Sequence, residues 1–257
     1  MPIFYYSGIF LTGLAFGSFL NAWVFRTHEN IRISTGRSMC IFCHRQLAWY
    51  ENIPLFSFIF LRGKCHTCRK QISWQYPLVE LAIAIIFVLT ALWRGADPFV
   101  LTAPLLRDWI LVFNLAFIFL YDLRYGEILD GPTIPTAILL FFFSIPLGWQ
   151  TWQGMLIGIA VGAGLFLFQY LISSGRWIGG GDIRLGLLMG VILGWPNILV
   201  ALLLAYVFGG LISLLLVWGK KKDLQSETPF GTYLTAATFV TMFFGEAIIN
   251  WYLGMLR

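Results

Sequence analysis

The sequence predicts an all-α polytopic membrane protein of about eight transmembrane helices, with a small cysteine-bearing domain between helices 1 and 2. Three observations lead there. The 257 residues are 59% hydrophobic and only 11% charged, with a mean hydropathy of +0.79, whereas soluble domains carry about a quarter charged residues. Long apolar runs recur from end to end, and all four cysteines fall in one polar loop. A compact soluble core is excluded.

Runs able to cross a hydrocarbon core, which takes roughly 20 helical residues, lie near 3–25, 77–94, 98–121, 132–149, 154–173, 184–195, 197–218 and 231–254. The first has no Lys or Arg before it, exceeds a typical signal-peptide core and lacks a cleavage site, so it reads as a retained helix. The third carries Arg107 and Asp108, which blurs its outer boundary. The sixth is short and ends at Gly194-Trp195-Pro196, so it is tilted or only partly spanning. Gly13 and Gly17 form a G-x3-G that suits packing inside the helical bundle better than dimerisation. The 11 Trp residues suit interfacial belts and core filling. No internal repeat is evident.

Charge orients these helices. With the N-terminus outside, loops 26–76, 122–131, 174–183 and 219–230 become cytoplasmic. Counting Arg184 with the third, they hold eight, one, two and three Lys+Arg, or 14 of 17; only Arg94, Arg107 and Arg257 fall elsewhere. That asymmetry follows the positive-inside rule and puts both termini on the non-cytoplasmic side. The net charge of +5 therefore reports orientation and contact with membrane lipid, and implies no nucleic-acid partner.

The domain plan is a first helix (1–25), a cytoplasmic loop domain (26–76) and a transmembrane domain (77–257). The loop holds Cys40-Ile-Phe-Cys43 and Cys65-His-Thr-Cys68, with 21 residues between the two knuckles. Two C-x2-C turns at that spacing match a zinc ribbon, in which four thiolates close a tetrahedral structural site. Disulfides are disfavoured in a reducing compartment, and four thiolates leave no open position for catalysis by the metal. His44 and His66 flank the knuckles, but the cysteines suffice. About fifty residues are too few to fold securely on an apolar core alone, so a metal staple is expected.

The acidic residues at cytoplasmic helix ends stand apart: Asp122, Glu127 and Asp130 in YDLRYGEILDGP, and Asp182 in IGGGDIRLG. Two carboxylates held close share a proton. The ionised one can then take a proton from water while the protonated one polarises a carbonyl, as in aspartic proteases. Gly179, Gly180 and Gly181 would let an extended peptide backbone approach Asp182. A plainer account also fits: Asp182 as a helix cap, and Asp130 before Gly131-Pro132 as turn chemistry. The residues alone leave both open. Glu246, inside the last helix, has no evident partner.

Six ordered segments resemble the type IV prepilin peptidase family of integral-membrane aspartic proteases, over nearly the whole chain. They are Gly17-Ser-Phe-Leu-Asn21, the cysteine loop, NIPLFSFIFLRGKC (52–65), ISWQYPLVE (72–80), the D-x7-D of Asp122 and Asp130 with GGGD, and Pro229-Phe-Gly231. The resemblance implies catalytic aspartates at Asp122 and Asp182. It also implies substrates that are type IV prepilins or type II secretion pseudopilins, cut after a Gly that follows a basic leader, in the bacterial cytoplasmic (inner) membrane. Many family members also methylate the new N-terminus with S-adenosylmethionine. Nothing here reads as a methyl-donor pocket, so that activity rests on the resemblance. Two departures stand out: Leu129 where the family usually has Pro, and Arg184 where it often has Lys. Glu80 matches a family position and is a candidate to hold a basic group of the cysteine loop.

Rival readings are a transporter or channel with an acidic ion path and a zinc-bearing scaffold. A transporter would more naturally show inverted repeats, and a scaffold would not need both aspartates.

Overall fold

The computed structural model describes residues 2–34, 36–95, 102–218 and 229–255. The 219–228 part of the last loop expected to be cytoplasmic and Arg257, both used in the charge count, lie outside them, as do residues 98–101 of the third apolar run.

Nine α-helices are formed among the described residues: α1 Pro2–His28, α2 Phe56–Phe60, α3 Gln75–Trp93, α4 Ala103–Tyr125, α5 Asp130–Ser144, α6 Trp152–Ser173, α7 Gly180–Leu193, α8 Asn197–Trp218 and α9 Phe230–Met255. Eight correspond to the eight apolar runs; the short α2 lies in the cysteine loop. Six are long and apolar enough to cross a membrane, which marks a multi-pass membrane protein. The 15-residue α5 and 14-residue α7 rise only about 21–23 Å at 1.5 Å per residue. The fourth helix was expected to reach residue 149, but it stops at Ser144 and the chain turns at Gly148 with φ +65°. Large apolar side chains such as Phe168, Leu203 and Leu214 point outward, as a lipid-facing surface requires.

The chain divides into two compact units, Met1–Phe113 and Asn114–Arg257. In the first, α1 packs on α3 through small residues. A Cβ on Gly13 would come 2.5 Å from Ala84 Cα, and one on Gly17 2.6 Å from Glu80 Cα, so the G-x3-G serves internal packing. Trp109 stacks on Phe87, with ring centroids 5.1 Å apart, and donates to its carbonyl. Asp108, fully buried, bonds to both Arg94 and Arg107 at 2.6 Å. The charges that blurred the third helix are thus a closed ion triad.

In the second unit, α6 and α7 meet through a reciprocal glycine contact. A Cβ on Gly158 would sit 2.5 Å from Gly190 O, and one on Gly162 2.5 Å from Gly186 O. α9 turns a threonine face inward. Thr235 and Thr238 are buried, and each hydroxyl donates to a carbonyl four residues back, at 2.8 and 2.7 Å. Self-satisfied hydroxyls let a polar stripe lie in the core without a partner helix supplying bonds.

Candidate active site

α4 runs four residues beyond the expected end, so Asp122 lies in its last turn. Gly126 stops the helix: its φ is +69° and its amide returns to Asp122 O at 2.8 Å, the left-handed glycine ending that helices commonly use. α7 begins earlier than expected, at Gly180. Gly179 is extended before it, and Asp182 in the first turn accepts the Gly179 amide at 3.2 Å. A negative side chain there complements the helix dipole. The N-cap is thus Gly179, not Asp182; Asp182 bonds back to it from the third helical position, and this holds the side chain.

Both aspartates line one cavity of about 1070 Å³, with Glu127, Ile128, Tyr206 and Phe230. Asp122 is 4% exposed and Asp182 9%. Asp122 accepts the Thr232 amide, yet its Oδ2 is buried with no hydrogen-bond partner. Buried polar atoms are nearly always paired. This oxygen has almost no accessible surface and lies beside Gly231, so the glycine's missing side chain is what leaves room for the carboxylate. Tyr206 donates to Gln169 at 3.0 Å.

The glycines differ in what they do. A Cβ on Gly181 would meet Ile128 Cβ at 2.9 Å, and one on Gly231 would meet Asp122 Oδ2 and Ile128 Cδ1 at 2.8 Å. Gly179 and Gly180 have no such close contact: their nearest neighbours are Asp182 Oδ2 at 3.8 Å and Arg184 at 3.9 Å. Gly179 and Gly181 line the cavity; Gly180 instead gives its carbonyl to Arg184 Nε at 3.2 Å. Arg184 also forms an ion pair with Asp130, so it ties the start of α5 to the glycine turn. Asp130 does not line the cavity, and Glu246 is exposed on α9. Sequence reading missed Gly231, Thr232 and Tyr206. The Pro229-Phe230-Gly231 motif was the available signal, but nothing in it names Asp122 as a neighbour.

In the first unit, the two knuckles fold as the same turn. The Cys40 amide bonds to Arg45 O and the Cys65 amide to Lys70 O; His44 N returns to Cys40 O and Arg69 N to Cys65 O, all at 2.9–3.0 Å. His44 and Arg69 share φ near +55°, and each turn is flanked by one antiparallel bridge, Met39 with Gln46 and Lys64 with Gln71. All four cysteines are free, and their Sγ atoms lie within 4.8 Å of one another in a group that can hold a metal ion. Amides of Cys68 and Thr67 pull the Cys65 thiol down to about 6, whereas Cys68, despite the Lys70 amide, is pushed up to about 11 by burial and the neighbouring sulfurs, so the thiols titrate as one cluster. Burial opposes the charge of Glu51, but the Ala48 amide and Arg45 outweigh it and hold the carboxyl below its usual range. Arg45 reaches both Glu51 oxygens at 2.6 and 2.8 Å, which braces the first knuckle. Among the described residues Glu80 holds no basic group, contrary to expectation. It accepts the Leu55 amide at 2.8 Å and the Ser18 hydroxyl.

Comparison with known proteins decides the family. Residues 11–94 match the bacterial peptidase A24 N-terminal domain and residues 109–214 the type IV leader peptidase family. A prepilin leader peptidase/N-methyltransferase of Aeromonas salmonicida is 30% identical, with 100% of this chain and 96% of the relative aligned. The chain belongs to the type IV leader peptidase family. Proteins of the same name from Bacillus subtilis (29% identical; 96% of this chain, 97% of the relative) and Myxococcus xanthus (35%; 87% and 68%) are also similar. No solved structure matches. The two family matches fall largely on the two units, the first on the thiol group and the second on the aspartate cavity apart from the Phe230-Gly231 turn.

Proposed function

We propose that this protein is a membrane aspartic endopeptidase that removes the basic leader from type IV prepilins or type II secretion pseudopilins, cutting after a Gly. The observation that carries it is the one cavity that Asp122 and Asp182 line together, with both carboxyls buried at its edge. Two carboxylates bordering one site cannot both ionise cheaply, so one holds the proton. The ionised carboxylate takes a proton from water, whose oxygen attacks the scissile carbonyl carbon. The other carboxylate hydrogen-bonds the carbonyl oxygen as it gains charge, and protonates the departing amine as the C–N bond breaks. Gly179 and Gly181, which line the cavity, form the approach for the extended substrate backbone, and Gly180 supports the turn between them through Arg184. Residues 77–257 are the protease domain on this reading. An ion path is not favoured, because the relatives of this chain are peptidases by name.

Zinc is the metal we assign to Cys40, Cys43, Cys65 and Cys68, in the loop domain 26–76. A tetrahedron with Zn–S bonds of about 2.3 Å has edges of about 3.8 Å, and Cys40 Sγ lies 3.9 Å from Cys68 Sγ. The zinc would tie the two knuckles together and leave no open position for chemistry. The charge distribution supports an inner-membrane protein with both termini non-cytoplasmic, bound to lipid and to no nucleic acid. The relatives' names alone support methylation of the new N-terminus with S-adenosylmethionine. Co-expression with a prepilin, followed by mass measurement of its N-terminus, tests the whole reading. The expected product lacks the leader and, if methylated, gains the mass of one methyl group in place of a hydrogen; an uncut prepilin would reject the proposal.

A further inference from the structure

The cysteine loop carries an apolar face that is turned outward. α2 reads Phe-Ser-Phe-Ile-Phe and buries none of its residues. Phe56, Ile59 and Phe60 stand at i, i+3 and i+4 and so share one side of the helix; they are 53%, 68% and 81% exposed. Phe58 packs instead against Trp74, with ring centroids 4.9 Å apart, and Trp74 is itself largely exposed. Single apolar residues scatter over any water-facing surface, but a contiguous patch of them marks an interaction site.

A hydrogen bond sets the level of this face. The Leu55 amide, just before α2, donates to Glu80 Oε2 at 2.8 Å. Glu80 is the sixth residue of α3, about 7–8 Å along the helix from Gln75, and helical side chains lean back toward the N-terminus. Leu55 therefore lies level with the first turns of α3. That helix is long and apolar enough to cross a membrane, yet its 19 residues rise only about 28 Å against a hydrocarbon core of about 30 Å. It has no turn to spare outside the bilayer, so its start, and α2 beside it, lie at the membrane boundary. Trp74, the residue before α3, stands where interfacial aromatic residues gather.

Cations flank the same surface. Arg62 and Lys64 border a groove with Phe58, Ile59 and Trp74. Both are exposed, and no ion pair among the described residues engages them. Apolar side chains beside such cations suit an anionic bilayer interface, the first toward the acyl chains and the second at the phosphates.

We propose that α2 and Trp74 are the membrane-seated edge of the cysteine loop, with Phe56, Ile59 and Phe60 in the boundary of an anionic leaflet. The loop thus rests on lipid at the start of α3 instead of projecting freely into water. This requires a membrane-spanning α3 and no particular reaction.

The test uses the purified full-length protein in vesicles of phosphatidylethanolamine and phosphatidylglycerol, with a trace of phospholipid that carries a photoreactive diazirine on its acyl chain. After illumination, mass spectrometry locates lipid adducts along the chain. Adducts should fall on Phe56–Phe60 and Trp74 at a yield comparable with that on the outward face of α3, at Leu78, Leu81 and Ile85. Phe60→Glu, at a largely exposed position, should cut the α2 yield severalfold and leave the α3 yield unchanged. Lipid adducts on α3 with none on α2 overturn the proposal, as does an α2 yield that F60E leaves unaltered. So does a face that lipid spares and the apolar segment of a prepilin cross-links to, which makes it a substrate dock. Leader removal is scored separately and bears on the peptidase reading alone.

Discussion

The thiol group and the aspartate cavity are both sites where side chains from distant positions converge, but they are held by different means. In the loop, short turns and two isolated bridges hold the sulfurs with few buried apolar residues. Only Cys65 among the four cysteines is fully buried. In the second unit the frame is helix on helix, with glycines letting backbones touch and Gly231 leaving the space that Asp122 occupies. A region with little core depends on a bound metal for its stability. A region with glycine-packed helices depends on the absence of side chains.

The largest effect should follow from removing the staple. Cys40→Ser with Cys65→Ser, one from each knuckle, should take zinc from one per chain to none and make residues 26–76 protease-sensitive, read by elemental analysis and limited proteolysis. On our account the loop acts by shape, positioning the leader, because its eight Lys+Arg against two acids would repel a basic leader rather than steer it. Cleavage of full-length prepilin should therefore fall further than that of a short peptide spanning the cut. Equal and complete loss on both would mean that the loop is needed to fold the active site.

The complementary variant is Gly231→Ala, which leaves the thiols untouched. The added methyl, built 2.8 Å from Asp122 Oδ2, must displace that carboxylate. A shift of this order costs about 10²-fold in rate, and zinc content should stay unchanged. Wild-type kcat/KM in G231A would show that the close approach is relieved without moving Asp122.

The smallest effect belongs to the Arg184–Asp130 pair, which is 37% and 59% exposed at its side chains. Exposed pairs contribute about 0–1 kcal/mol. A double-mutant cycle on thermal stability should find coupling within that range. Arg184→Lys should retain most activity, and a large loss would give Arg184 a role in the reaction itself.

Much of this contrast is legible in the sequence, and the reason is range. The C-x2-C turns are local, so spacing alone names their sulfurs, and apolar runs name the helices. Asp122 and Asp182 were found through motifs at helix ends. What the sequence hides is who meets whom over long separations. Gly231 and Thr232 reach Asp122 across more than a hundred residues, Arg184 reaches Asp130 across 54, and Gly158 faces Gly190. Glycines in apolar helices are common, so nothing local marks which ones face a backbone. Glu80 was misjudged for the same reason: a carboxylate beside a basic loop invites an ion pair, but the nearest donors are the Leu55 amide and the Ser18 hydroxyl.

On the proposed mechanism the two aspartates share a proton and act as one unit rather than as two contributors. The direct test is the single-turnover cleavage rate of Asp122→Asn, Asp182→Asn and the double variant on one prepilin, with zinc content confirming that each is folded. General acid–base groups contribute about 10²–10⁴-fold, and residues acting together are strongly non-additive. The account predicts that each single variant is as inactive as the double. Substantial cleavage by either single variant, or losses that multiply in the double, would contradict it.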